Sequence, residues 1–265
     1  MSTITAPITT APTPAGGTAA HRPSLFRLTR VELRKLADTR AGLWLLVAIG
    51  LVAAVIVVVQ LAVLPDDRQT FVTFFQPSLL PVGVLLPVLG ILSVTGEWSQ
   101  RTALTTFALV PQRYRVVTAK IAALVVAALV SVLASVVVAA VGTLAAAATG
   151  GAGTWSAEAS LFWHAAVFQM INALIGVGFG LLLLNTPLAI VLYLLLPTVW
   201  AMLGGMVDAL HEPARWLDTA VTMEPLTTGA DMTAGQWGRL AVSLLVWLVL
   251  PLTAGLVRVM RREVS

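Results

Sequence analysis

The sequence predicts an all-α membrane protein. It should have six transmembrane helices, an amphipathic helix ahead of the first, a short helix on the loop between the second and third, and short outer helices between the fifth and sixth. Three observations lead there. Only 11% of the 265 residues are charged, against about 25% in soluble domains, while 58% are apolar and the mean hydropathy is +0.93. Six apolar runs reach or approach the roughly 20 residues that cross a bilayer. The basic residues gather on one side of these runs.

Residues 1–23, rich in Thr, Ala, Pro and Gly, carry too little bulky apolar surface to offset the entropy of ordering and read as a disordered cytoplasmic tail. The basic residues follow this tail rather than begin it, and the first apolar run is 22 residues long. That order describes an uncleaved anchor rather than a signal peptide.

Over 24–41 the period becomes helical. Leu25, Phe26, Leu33, Leu36 and Ala37 fall on one side, and Arg27, Arg30, Arg34, Lys35 and Asp38 on the other. Ser24, after Pro23, is placed to cap its start. Such a helix directly before a span is expected in the cytoplasmic membrane interface, its cations near anionic headgroups.

The spans are expected at Leu43 to Leu64, Phe75 to Thr95, Thr118 to Ala148, Leu161 to Leu184, Leu188 to Val207 and Leu240 to Val257. Together they form a membrane domain over 42–258, followed by a short tail at 259–265. Asn185, Thr186 and Pro187 separate the fourth and fifth runs, and because proline ends or kinks a helix, a tight hairpin is expected there.

With the N-terminus inside, the inner segments hold Arg22, Arg27, Arg30, Arg34, Lys35, Arg40, Arg101, Arg113, Arg115, Lys120, Arg258, Arg261 and Arg262, 13 of the 16 basic residues. Both termini are therefore expected in the cytoplasm of a multi-pass plasma-membrane protein. The positive charge goes to membrane edges, which leaves no nucleic-acid partner.

Several chemistries lack their residues. No Asp or Glu lies within the six expected spans, so a proton-coupled carrier loses support. The only lysines, Lys35 and Lys120, follow Arg34 and Ala119 rather than the glycine of a phosphate-binding loop, so the chain is expected to be no enzyme, with no ATPase site of its own. There is no cysteine, and His164 is the one histidine at a span, without a catalytic partner. Asp208, His211 and Glu212 have the i, i+3, i+4 spacing of metal ligands, but a polar outer helix end explains them better. No catalytic, cofactor or metal residue is assigned.

The segment 97–117 between the second and third spans is the most informative. Arg101 to Leu109 would form a short helix presenting Leu104, Phe107 and Ala108 on one face, stopped by Pro111, with Arg113 and Arg115 returning the chain to the membrane. An apolar helix face on a loop needs either lipid or a partner protein to bury against.

The order RVELRKLADTRAGLWLL before the first span and GEWSQRTALTTFALVPQRYRVVTAK after the second resembles the membrane permease subunits of the ABC transporter type-2 export family. Glu32, Arg34 and Lys35 match that family's initial helix, and Glu97, the Thr-rich 102–106, Pro111 and Arg113 match its inner loop. Arg101 departs from the glycine many members carry before the Thr.

The resemblance implies a dimer of permeases, identical or different, with two cytoplasmic ABC ATPase subunits beneath that bind the ATP and Mg. The inner loop would couple to the ATPase through Glu97, Arg101, Leu104, Phe107, Pro111 and Arg113, and the N-terminal helix would brace it. The outer segment 208–237 would take the place of the family's cap. Cargoes of such exporters include drugs, antibiotics and lipids.

On the fourth span Gln169 and Asn172 are the candidates to meet cargo, though Asn172, Gly176 and Gly180 also form a small-residue packing stripe. A non-transporting scaffold or sensor using the same inner helix is the alternative reading, and a secondary transporter a more distant one.

Overall fold

The computed structural model describes residues 23–100, 102 and 112–261. The expectations for 1–22, for Arg101, Leu104, Phe107, Ala108 and Pro111, and for 262–265 lie outside the described residues. Among those described, the secondary structure is helical, with an isolated bridge between Thr70 and Thr154 and no strand.

The elements are α1 (Leu25–Asp38), α2 (Arg40–Val63), a 3-10 turn (Asp66–Arg68), α3 (Phe71–Ser99), α4 (Arg113–Thr149), α5 (Ala159–Leu183), α6 (Thr186–Met206), α7 (Asp208–Leu217), α8 (Thr219–Thr228), α9 (Ala234–Leu244) and α10 (Leu250–Arg261). A π turn at Leu245–Val249 joins α9 to α10, so that Ala234–Arg261 runs as one helix. Pro251 cannot donate a backbone hydrogen bond, and the widened turn directly before it absorbs that gap. Six helices, α2 to α6 and the α9–α10 unit, are long and apolar enough to cross a membrane. The protein is therefore a multi-pass membrane protein.

Each helix begins before its apolar run, and several continue past it, because helical hydrogen bonding does not stop where the hydrocarbon does. Thus α3 continues through Glu97 and Trp98, and α4 already begins at Arg113. The sixth helix starts at Ala234, where Thr233 and Gln236 form a reciprocal cap, so Trp237 belongs to it rather than to the outer segment.

Thr39 ends α1 and caps α2, its side chain accepting from the Gly42 N–H. A Cβ on Gly42 would stand 1.8 Å from the Leu36 carbonyl oxygen, so only glycine permits this bend. Between α5 and α6 the chain turns at Leu184, at φ 49°, and Asn185 caps α6 by accepting from the Leu188 N–H at 3.1 Å. This is the tight hairpin the proline announced.

The centre of the bundle is the pair α3 and α5. Of their most apolar windows 61% is buried, against 17% for α6, which lies at the periphery. Backbones approach closely there: a Cβ on Gly176 would lie 2.3 Å from the Pro87 carbonyl oxygen. The prolines of α3 free carbonyls that neighbours satisfy. Pro77 leaves Thr73 without its helical donor, and Gln60 of α2 donates to that carbonyl at 2.8 Å.

At the far end from α1, α7 and α8 do more than lie on a surface. Met223 and Leu226 of α8 are buried against Ile171, Ile175 and Phe179 of α5 and Tyr193 of α6. The Trp247 indole N–H donates to the Leu217 carbonyl at 2.7 Å, tying the π turn to the end of α7.

Candidate functional site

At the α1 end of the bundle three helices bring four charges together. Lys120 of α4 is 4% exposed; its ammonium donates to Glu32 Oε2 at 2.8 Å, to Glu97 Oε1 at 3.0 Å and to the Ser93 carbonyl at 2.8 Å. Lys35 donates to Glu32 Oε1 at 2.7 Å and to the same Glu97 oxygen at 3.0 Å. Two carboxylates and two ammonium groups balance, so the cluster adds no net charge to a low-dielectric site.

Local folding dictates who takes part. Glu32 and Lys35 are three residues apart and share a helix face. Leu36 is buried beside Glu32, whereas Leu25 and Phe26 are exposed. The side of α1 that packs is thus centred on a carboxylate. Lys35, grouped in the sequence with the outward cations, turns into the cluster with its side chain 44% exposed.

Burial works to lower the Lys35 pKa, but the hydrogen bond and charge of Glu32, then those of Glu97, outweigh it. The net shift is upward, and the group stays protonated at any physiological pH.

The cluster sits at the root of the segment after α3. Thr102 donates its N–H to the Glu97 carbonyl at 2.9 Å, so the chain leaving α3 is held by the same residue whose side chain meets both lysines. A cavity of about 420 Å³ lies alongside, lined by Glu32, Lys35, Ser93, Glu97, Thr102 and Lys120 among others.

Basic side chains stitch the remaining helix ends together here. Arg113 donates to the Val259 carbonyl of α10 at 2.9 Å and Arg115 to the Pro23 carbonyl at 2.6 Å. Arg258 donates to the Leu182 carbonyl of α5. At Val259 and Leu182, in the last turns of α10 and α5, a cation suits both hydrogen bonding and the helix dipole. Arg34 pairs with Asp38 on the exposed face of α1.

The arrangement is a junction of three helices. Ion pairs of about 3 Å join Glu97, at the root of the following segment, to Lys120 of α4, and Lys120 to Glu32 of α1. Sequence reading missed Lys120 as a partner and met Glu32 only through a motif. The one available signal was the Glu32–Lys35 spacing, because the other partners lie on helices far apart in the chain.

The two residues expected to meet cargo separate. Gln169 is fully buried and donates to the Leu79 carbonyl at 2.9 Å, clamping α5 to α3. Asn172 is half-buried and lines a cavity of about 160 Å³ with Val84, Ile175, Tyr193, Leu194, Pro197, Thr219 and Trp247.

Near the far end His164 is buried. Glu212 pairs with Arg215 at 3.1 Å, and among the described residues no group of three His, Asp or Glu side chains is placed to hold a metal. No model of a known protein family matches the chain, and no curated protein matches it either.

Proposed function

We propose that this chain is the permease subunit of an ATP-driven exporter of the ABC type-2 kind. It would sit in the plasma membrane with both termini in the cytoplasm and move an amphiphilic or hydrophobic cargo outwards. It works with a separate cytoplasmic ATPase subunit, which binds ATP and Mg, and with a second permease.

The observation that carries this reading is the four-charge junction. It locks the helix before the first span to the root of the segment that an ATPase would push, which is what transmission from a cytoplasmic motor into a helical bundle requires. Both lysines of the chain are bonded to carboxylates in that junction, consistent with phosphate chemistry residing on another polypeptide. Glu32 and Glu97 are both paired with lysine, which disfavours a proton-carrying role.

The test is Phe107→Asp. A charge placed where an apolar anchor docks should weaken association with the ATPase by roughly 2 kcal/mol, abolishing cargo-stimulated ATP hydrolysis and export while expression and topology persist. Ser99→Ala, whose hydroxyl only donates back to the Gly96 carbonyl, should be mild. If Phe107→Asp leaves copurification and stimulation of the ATPase at wild-type levels, the coupling role is withdrawn.

A further inference from the structure

A third cavity, of about 320 Å³, runs as a slot between α2 and α4. The two spans meet at Val57 and Gly142, where a Cβ on the glycine would lie 2.7 Å from the valine Cγ1. Toward α1 they part, leaving Gly50 and Ala53 on one wall and Ala127, Ser131 and Ala134 on the other. Val82, Leu86 and Leu89 of α3 back the slot, and Leu33, Leu36 and Ala37 of α1 close its end.

The slot faces sideways at membrane depth, past Leu46 and Val130, which are 43% and 57% exposed. From Ala127 to Val138 it follows α4 for about 16 Å at the helical rise. It is long and apolar. Its hydroxyls are already engaged, Ser131 donating to the Ala128 carbonyl and Ser135 to the Ser78 carbonyl. Water would find too few partners to stay there. An apolar slot open at this depth takes up hydrocarbon rather than water.

Charge fixes the headgroup. On α1, Arg30 lies three residues before Leu33 and seven before Ala37, both slot residues, and so on the same stripe of the helix. Arg34 stands three residues before Ala37, with its side chain 83% exposed and paired at 3.0 Å with Asp38, itself exposed. The Glu32, Lys35, Glu97 and Lys120 cluster next to it is neutral and Asp38 offsets one of the two arginines, so the rim of the slot carries one net positive charge.

We propose that this slot is a binding site for one anionic phospholipid, an acyl chain lying between α2 and α4 and the phosphate held at Arg30 and Arg34. The lipid fills the void and joins α1 to the bundle on the side the ion cluster does not reach. The site is independent of transport and of any ATPase.

The full chain in nanodiscs, with a chain-borne diazirine on phosphatidylglycerol or on phosphatidylcholine, tests it by crosslink mapping. Phosphatidylglycerol should label the slot segments of α2 and α4 about fivefold more than phosphatidylcholine, the factor expected of one added cation near a membrane surface. Arg30→Gln with Arg34→Gln, both exposed, should erase that preference.

Gly50→Phe should remove slot labelling while Val199 and Met202 on α6 label as before. Nothing lies within 4 Å of a Cβ at Gly50, and Ala134→Leu fills the slot from the opposite wall. Equal labelling by the two lipids, labelling spread evenly over α6 and the slot, or slot labelling that survives both fillers would each overturn the proposal.

Discussion

Lys120 Nζ stands 2.8 Å from Glu32 Oε2, an ion pair between residues 88 apart in the chain, with both side chains under 10% exposed. It converts a helix that would otherwise float at the membrane surface into a fixed part of the bundle. A buried pair adds little over a well-packed apolar pair, yet losing one partner strands a charge.

Lys120→Met should therefore destabilise the fold by roughly 3 to 5 kcal/mol, since it leaves two carboxylates facing Lys35 alone. Adding Glu32→Gln should recover much of that loss. Thermal unfolding of the detergent-solubilised chain checks both. Equal unfolding temperatures for wild type and Lys120→Met would show the cluster to be ornamental.

Gly176→Ala sets a methyl group against the backbone of Pro87, which has nowhere to move. We expect a loss of about 1 to 3 kcal/mol, the range for overpacking. Gly50→Ala, with open space around the new carbon, should be neutral or slightly stabilising because alanine favours the helix. The two substitutions are best compared by retention of folded protein on heating.

Gln60 and Pro77 should behave as a coupled pair. Gln60→Leu strands the Thr73 carbonyl and should lower stability by about 1 kcal/mol, the usual scale for a hydrogen bond between membrane helices. In a Pro77→Ala background residue 77 regains its N–H, that carbonyl is satisfied within α3, and Gln60→Leu should be nearly silent. Additive effects in the double-mutant cycle would refute the substitution of side chain for backbone.

Single cysteines in this cysteine-free chain read its sidedness. Placed at Ser2 or Ser265 they should resist an impermeant thiol reagent in intact cells, and at Thr154 or Thr228 they should react. Labelling at either terminus would reverse the proposed orientation.

How much of this was legible beforehand follows from the range of each interaction. The six spans, the hairpin at Asn185 to Pro187 and the helix before the first span depend on composition and short spacing, and the structure has them all. Trp237 was assigned outside the sixth helix because hydropathy cannot see a cap, and Thr233 with Gln236 starts that helix early.

Lys120 looked like a solitary cation near a span end. Its partners became visible only once α1, α3 and α4 were packed, for no local period connects 32, 97 and 120. Gln169 and Asn172 shared a helix face in the sequence, yet a three-residue offset was enough to send one into the α3 interface and leave the other lining a cavity.

The glycine contacts between α3 and α5 bear on how the bundle can change shape. Shear between helices needs a layer of side chains that can hop from one set of notches to the next. At Gly176 and Pro87 no such layer exists, because main chain rests on main chain. These two helices hold together as one rigid unit, and any change in the shape of the bundle falls to the less buried outer spans.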